Sequence, residues 1–178
     1  MESGRAERKN SDSTSREFAT RKALNGHMLR TLLYPPRTLG RSAVGLSILR
    51  ATIGLAFVLH GYPKWQHTTS WMTLMMGPGA FAPAWLQALV AFAEFVGGMA
   101  LILGLLTNLF AVMLLLDMTV AIFAVHIPNG GAFVGGKGSY EIAAAYAAAM
   151  LALLLMGPGA LSLDARIASA LDERASRK

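Results

Sequence analysis

Beyond a polar first stretch, the chain is a succession of long apolar runs separated by short breaks rich in glycine, proline and asparagine. Ala43 to His60 is the first run, and Gly61-Tyr62-Pro63 stops it. Ala84 to Leu106, Leu109 to His126 and Tyr140 to Met156 follow. About 17–25 apolar residues suffice to carry a helix across a ~30 Å hydrocarbon core. A helix in water needs a polar face, and the region from Ala84 to His126 offers none. The pattern predicts an all-α fold, an integral membrane four-helix bundle with spans at about 43–60, 84–106, 109–126 and 140–156. Thr107-Asn108 is a tight turn between the second and third spans. The loop from His67 to Pro83 is flanked and occupied by Trp65, Trp71 and Trp85. Tryptophan prefers the headgroup level, so this loop is expected to hug the interface. Within it, Thr68 to Met76 is predicted as a short interfacial or re-entrant helix closed by Gly77-Pro78-Gly79. Ile127 to Gly138 reads as a glycine-rich loop. Gly-Pro-Gly-Ala recurs at 77–80 and 157–160, and no further similarity between the halves supports an internal repeat.

Residues 1–42 form a basic arm whose serine-rich, charge-mixed first half is predicted to be disordered. It lacks the short apolar core of a secretory signal, and Glu2, Glu7, Asp12 and Glu17 argue against a mitochondrial transit peptide. Leu24, Met28 and Leu32, beside Arg21, Lys22 and Arg30, make a weak amphipathic pattern suited to an anionic membrane surface, or equally to a solvated linker. Residues 43–160 are the expected membrane domain, and 161–178 a basic tail. Charged residues are 15% of the chain against about 25% in soluble domains, and 54% of residues are hydrophobic. Nine of the sixteen Lys/Arg lie before residue 42 and four after residue 165. The two connecting loops on the opposite side carry only Lys64 and Lys137. Basic loops stay in the cytoplasm, so both termini are expected there, in a bacterial inner membrane. The basic ends therefore report topology; no signature of nucleic-acid binding accompanies them. The chain has no cysteine, which removes thiol chemistry and any thiolate-held metal.

Ionisable residues inside an apolar span are costly and mark candidate sites. There are three: Arg50, Glu94 and Asp117. At about 1.5 Å per residue, Arg50 and Asp117 fall ~10 Å and ~12–14 Å above the cytoplasmic ends of their spans, and Glu94 ~15 Å below the outer end of its own. One level for all three predicts a buried cluster in which an arginine offsets one carboxylate. Packing the helices and handling a proton or ligand are both roles for such a cluster. Glu94 shares its face with Gly98, next to Gly97, which lets a neighbouring helix come close. On an α-helix, His126 points away from Asp117, so the two need not share a site. A second group is expected at the outer end: His60, Lys64, His126, Tyr140 and Glu141. By residue type it contains metal ligands, but the spacing matches no local metal motif, and no metal is assigned. A quinone or lipid headgroup near His60 and Tyr140 is the intermediate reading, and interfacial anchoring the plain one.

These residues also form an ordered pattern: Leu49-Arg50 in the first span, then His60-Gly61-Tyr62-Pro63-Lys64, Glu94 with Gly97-Gly98, and Leu103-Gly104-Leu105-Leu106-Thr107. Tyr140-Glu141, Gly157-Pro158-Gly159 and Ser162-Leu163-Asp164 complete it. From about 44 to 166 the chain resembles the DoxX family of small four-helix membrane proteins. The resemblance implies association with sulfur-compound and quinone oxidoreductase systems or, as in some bacteria, with a membrane-bound oxidoreductase complex handling oxidative stress; many members of the family have no defined activity. It directs attention to Arg50, His60, Lys64, Glu94 and Glu141. Quinone is the cofactor it suggests, and redox proteins, beside the lipid bilayer, are the partners. Two rivals stand beside a membrane subunit of an oxidoreductase: a small proton-coupled transporter using Arg50, Glu94 and Asp117, and a non-catalytic anchor docking a redox partner through the arm.

Overall fold

The structure is a computed structural model that describes residues 40–77, 82–136 and 138–177, with Ala175 described by its backbone alone. The basic arm, Lys137 and most of the first Gly-Pro-Gly-Ala lie outside the described residues. The described residues form six helices and no strand: α1 Arg41–Gln66, α2 Trp71–Met76, α3 Ala84–Leu103, α4 Thr107–Val120, α5 Glu141–Met156 and α6 Leu163–Ser176. A π-helical segment, Ala121–His126, continues α4. Three stretches are long and apolar enough to cross a membrane: α1, α3, and α4 with its π extension. The apolar helix α5, of 16 residues, packs beside them.

Helix α1 buries Ala43, Leu46, Arg50, Gly54, Phe57 and Gly61. That spacing of three and four residues is one face of an α-helix. The other faces carry Ile48, Leu55 and Leu59, more than half exposed. Apolar side chains directed outward all along a spanning helix are what a lipid solvent selects. The buried stripe lies on α3, its main partner, while α4 packs mainly on α5. Glycine makes the α1–α3 contact possible. A Cβ on Gly54 would stand 2.6 Å from the Gly98 carbonyl oxygen, and one on Gly61 would stand 2.5 Å from the Phe95 nitrogen. Gly98→Ala would in turn bring a methyl to 2.7 Å from the Gly54 oxygen and 2.8 Å from the Val58 nitrogen. Both neighbours are backbone, so the helices must separate. We expect the substitution to cost about 1–3 kcal/mol, the usual range for overpacking, read as a lowered unfolding temperature in detergent. An unchanged temperature would show that the helices are not locked at this crossing.

The first helix does not stop at Gly61-Tyr62-Pro63 but runs through Pro63 to Gln66. Proline removes one backbone donor and disfavours a helix interior. Here tertiary contacts outweigh that loss. Lys64 reaches Glu94 of α3, and Trp65 stacks on Phe95 with ring centroids 5.4 Å apart. The turn between α3 and α4 is Gly104-Leu105-Leu106, and Thr107 and Asn108, expected to form the turn, instead open α4. Gly104 closes α3 in the left-handed conformation (φ 66°), which glycine adopts without steric cost.

Candidate functional site

Two polar centres lie at opposite ends of the bundle, and their membership differs from the grouping that depth along the chain predicts. Arg50, 1% exposed, is not joined to Glu94 and Asp117. Its guanidinium donates to the carbonyls of Pro158 and Leu161 (2.8 Å), with a longer bond to the Ser47 hydroxyl (3.3 Å). The reason is stagger. The antiparallel register of α1 and α3 sets Gly61 against Glu94 and Gly54 against Gly98, and so brings Arg50 to Gly104. Ten residues of helix separate that level from Glu94, about 15 Å at 1.5 Å per residue. Counting each residue from the end of its own span ignores how far α1 overhangs α3.

Arg50 thus anchors the strand of chain that crosses beneath the bundle into α6. Asp164 works beside it. Its two carboxylate oxygens accept from the backbone N–H groups of Leu106 (2.8 Å) and Thr107 (2.9 Å). It caps the first turn of α4 from a different helix, satisfying donors that a helix start leaves open. Leu106 is held there at φ 47°, a costly conformation for a branched side chain. Ser162 caps α6 in turn, accepting from the Ala165 N–H at 3.1 Å. The motifs around 103–107 and 157–164 are therefore two sides of one clasp.

The other centre lines a cavity of about 630 Å³ between α1, α2, α3, α4 and α5. That volume is in the range of small-molecule sites. Lys64 donates to Glu94 Oε1 at 2.6 Å. Glu94 is 2% exposed, and its Oε2 accepts from no nitrogen or hydroxyl donor among the described residues. Asp117 meets the Glu94 carboxyl in a side-chain hydrogen bond and lies within the field of Lys64; its Oδ2 is buried and accepts from no nitrogen or hydroxyl donor among the described residues. Lys64 also sits 4.6 Å above the Trp71 ring, a cation–π contact. The remaining wall is mostly apolar, with Phe57, Met72, Met113 and Met118 among its residues.

Sequence expectation and structure meet unevenly at this cavity. His60, Lys64, Glu94, Asp117 and His126 all line it. Tyr140 and Glu141 do not: Tyr140 packs edge-on against Phe133, and Glu141 is exposed in the first turn of α5. His126 joins Asp117 because the helix between them changes pitch. Nine α-helical residues would rotate it by about 180° relative to Asp117, at 3.6 residues per turn. The π segment carries about one extra residue per turn, seen in the bond from the Ile127 N–H to the Ile122 carbonyl. Rotation per residue falls to about 80° in such a turn, which brings His126 from about 180° to within about 90° of Asp117, so that both reach the cavity.

Three further wall residues, Trp71, Gln87 and Tyr146, are not among the site residues expected from the sequence. Trp71, expected at the headgroup level, is 8% exposed and donates its indole N–H to the Gln87 carbonyl at 3.0 Å. The Gln87 side chain accepts from the Met72 N–H (3.0 Å) and donates to the Ala82 carbonyl (2.9 Å). It ties α2 to the start of α3 and closes that end of the cavity. Tyr146 of α5 meets His60 edge-on, with centroids 6.1 Å apart. A glutamine inside an apolar run was the available cue. Among the described residues no three His, Asp or Glu side chains are close enough to hold a metal ion.

Described residues that are all helical, with several apolar spanning helices, outward apolar side chains and a ligand-sized cavity bordered by buried charge, define a polytopic membrane protein. The DoxX family profile matches residues 45–127. The chain is 33% identical over 133 residues to an uncharacterized membrane protein of Mycobacterium tuberculosis, covering 67% of this chain and 78% of that one. It is also 33% identical over 120 residues to an uncharacterized protein of Haemophilus influenzae, covering 67% and 87%. The chain belongs to the DoxX family. No solved structure matches it.

Proposed function

We propose that this DoxX-family protein is a membrane subunit of an oxidoreductase system, and that its cavity receives the ring of a quinone. The observation that carries the reading is the facing pair of buried carboxyl groups, Glu94 and Asp117, set with one lysine in the wall of an otherwise apolar cavity. Buried polar groups in an apolar wall suit a ligand that is itself apolar with polar edges, and a quinone ring is one. A chain without cysteine passes electrons through such a carrier or through a partner protein. Protein purified in mild detergent is expected to carry about one extractable quinone per chain, identified by mass spectrometry, and to lose it in Ala121→Phe, which fills the cavity from the π segment. Native protein that yields no quinone, and binds none when it is added, refutes the reading.

The same charges favour a second reading, a proton-coupled transporter. Two carboxylates share one lysine, so one negative charge inside the bundle is left for a proton or a cation. Flux in proteoliposomes that survives Asp117→Asn would dismiss it. Both termini are proposed to lie in the cytoplasm, on the strength of the basic arm and tail. The absence of native cysteine makes the test direct. Ser176→Cys should resist an impermeant thiol reagent applied outside intact cells, and Gly135→Cys should react; the opposite result inverts the topology.

A further inference from the structure

Helix α6 carries a face that the bundle does not cover. Its first turn is fixed at the end of the apolar spans. The Asp164 N–H donates to the Gly104 carbonyl at 2.9 Å, and the Asp164 carboxylate holds the start of α4. Leu103, Leu106 and Leu161, each more than half exposed, surround this level with outward apolar side chains. The helix therefore leaves the bundle where the hydrocarbon of a bilayer ends. Ala165 is its buried contact, with Ala168 and Ser169 partly covered. Ile167 and Leu171, four residues apart and both exposed, share a face turned away from Ala165, at about 100° of rotation per residue. A second row runs beside them. Arg166, Arg174 and Arg177 lie along it, all exposed. Arg174 is seven residues after Ile167 and three after Leu171, so it borders both. Glu173 falls beyond the arginine row, on the side away from the apolar pair, and Asp172 lies past the opposite edge.

From this we infer that α6 lies on the bilayer surface and binds anionic phospholipid headgroups, in the leaflet at which the helix leaves the bundle. Ile167 and Leu171 enter the boundary between headgroups and acyl chains, as the apolar face of an interfacial helix does. The arginine row then sits at headgroup depth. An arginine lays its aliphatic stem along apolar surface and keeps its charge in the polar layer, where the guanidinium fork matches phosphate oxygens. Charge decides the occupant. Three cations border the apolar pair while both carboxylates point elsewhere, so an anionic surface is favoured over a zwitterionic one. A second copy of the same face would bring three more arginines to one seam, and like charges set against each other disfavour that pairing. The contact also bears on the fold, because the segment entering α6 is the one that Arg50 holds at the Leu161 carbonyl.

The chain has no cysteine, so one introduced thiol carries a fluorescent probe without competition. Full-length Leu171→Cys protein, labelled there, is reconstituted into vesicles of phosphatidylcholine mixed with phosphatidylglycerol, the same in both leaflets so that orientation does not matter. Lipids brominated along their acyl chains are expected to quench the probe. Quenching should fall by about threefold or more in phosphatidylcholine alone, and also at high salt, which screens the attraction. A probe on Glu173→Cys, about 160° round the helix from Leu171, should stay unquenched in both. Replacing Arg166, Arg174 and Arg177 together by Gln should abolish the difference between the two lipids, since each arginine near an anionic surface contributes about fivefold to partitioning. These side chains are exposed, and gel filtration in detergent checks that the triple variant stays folded. A Leu171 probe unquenched in the mixed vesicles overturns the inference, as does equal quenching in phosphatidylcholine alone. Quenching undiminished in the triple variant overturns it as well. Probe-to-probe contact that grows with the ratio of protein to lipid, in place of quenching by lipid, would assign the face to a second copy and overturn it too.

Discussion

Arg50→Ala is expected to lose about 3–5 kcal/mol of stability, enough to leave little folded protein after extraction. Each buried hydrogen bond to a charged group contributes about 1.5–3 kcal/mol, and a buried carbonyl left without a donor costs about 1–3. Arg50 serves the carbonyls of Pro158 and Leu161 together, and its removal also opens a void under Gly104, whose added Cβ would touch the guanidinium. Arg50→Lys should recover only part of the loss, because a single ammonium does not reproduce the planar fork that spans two carbonyls. Thermal unfolding in detergent, followed by circular dichroism and gel filtration, measures both. A loss below about 1 kcal/mol, within the range of an ordinary surface substitution, would mean that the clasp beneath the bundle does not hold it together.

Lys64→Met should be nearly as damaging, at about 3–5 kcal/mol, for a different reason. Removing one partner of a buried pair strands the other charge where water cannot reach it. Glu94 is 3% exposed at its side chain against 18% for Lys64, and Asp117 adds a second carboxylate beside it. Glu94→Gln should cost less, since the lysine head lies nearer solvent and keeps the Trp71 ring. The double variant Lys64→Met/Glu94→Gln should be more stable than Lys64→Met alone, because the stranded charge has gone. Additive losses across that cycle would show that the pair does not interact in the folded protein.

Both variants touch residues that stand out in the sequence, yet their partners do not. Arg50 is conspicuous as a charge in an apolar run, but nothing near it predicts that two carbonyls more than a hundred residues away receive it. Depth counted along each span would pair it with Glu94. That count assumes that helices begin at one level, whereas side-chain packing at Gly54, Gly61 and Gly98 sets their stagger. The company of Lys64 is misjudged for a related reason. Read as the last polar residue beyond a span, it groups with Tyr140 and Glu141. In the structure α1 continues through Pro63, and the ammonium turns inward to Glu94.

His126 is the clearest case of a local feature that periodicity does not reveal. A helix of uniform pitch sets it opposite Asp117. One wider segment, Ala121–His126, swings it round by about a quarter turn into the same cavity, and no residue in Ala121-Ile122-Phe123-Ala124-Val125-His126 announces it. The widening leaves the apolar pattern intact, so hydropathy is blind to it while the direction of every later side chain changes. Trp71 shows the converse: a residue type with a strong preference for the interface is drawn inside by one carbonyl and one ammonium.

The sequence alone determined the all-helical class, the apolar stretches able to span a membrane, the family and the identity of the buried charges. These follow from transfer of side chains out of water, which depends on composition along the chain and on nothing distant. Only the tertiary structure decided which charges meet: Arg50 with the clasp below the bundle, and Lys64, Glu94, Asp117, His60 and His126 around one cavity. Those meetings depend on helix stagger and pitch, which a few glycine contacts and a single π-helical segment set, and which leave almost no mark on hydropathy.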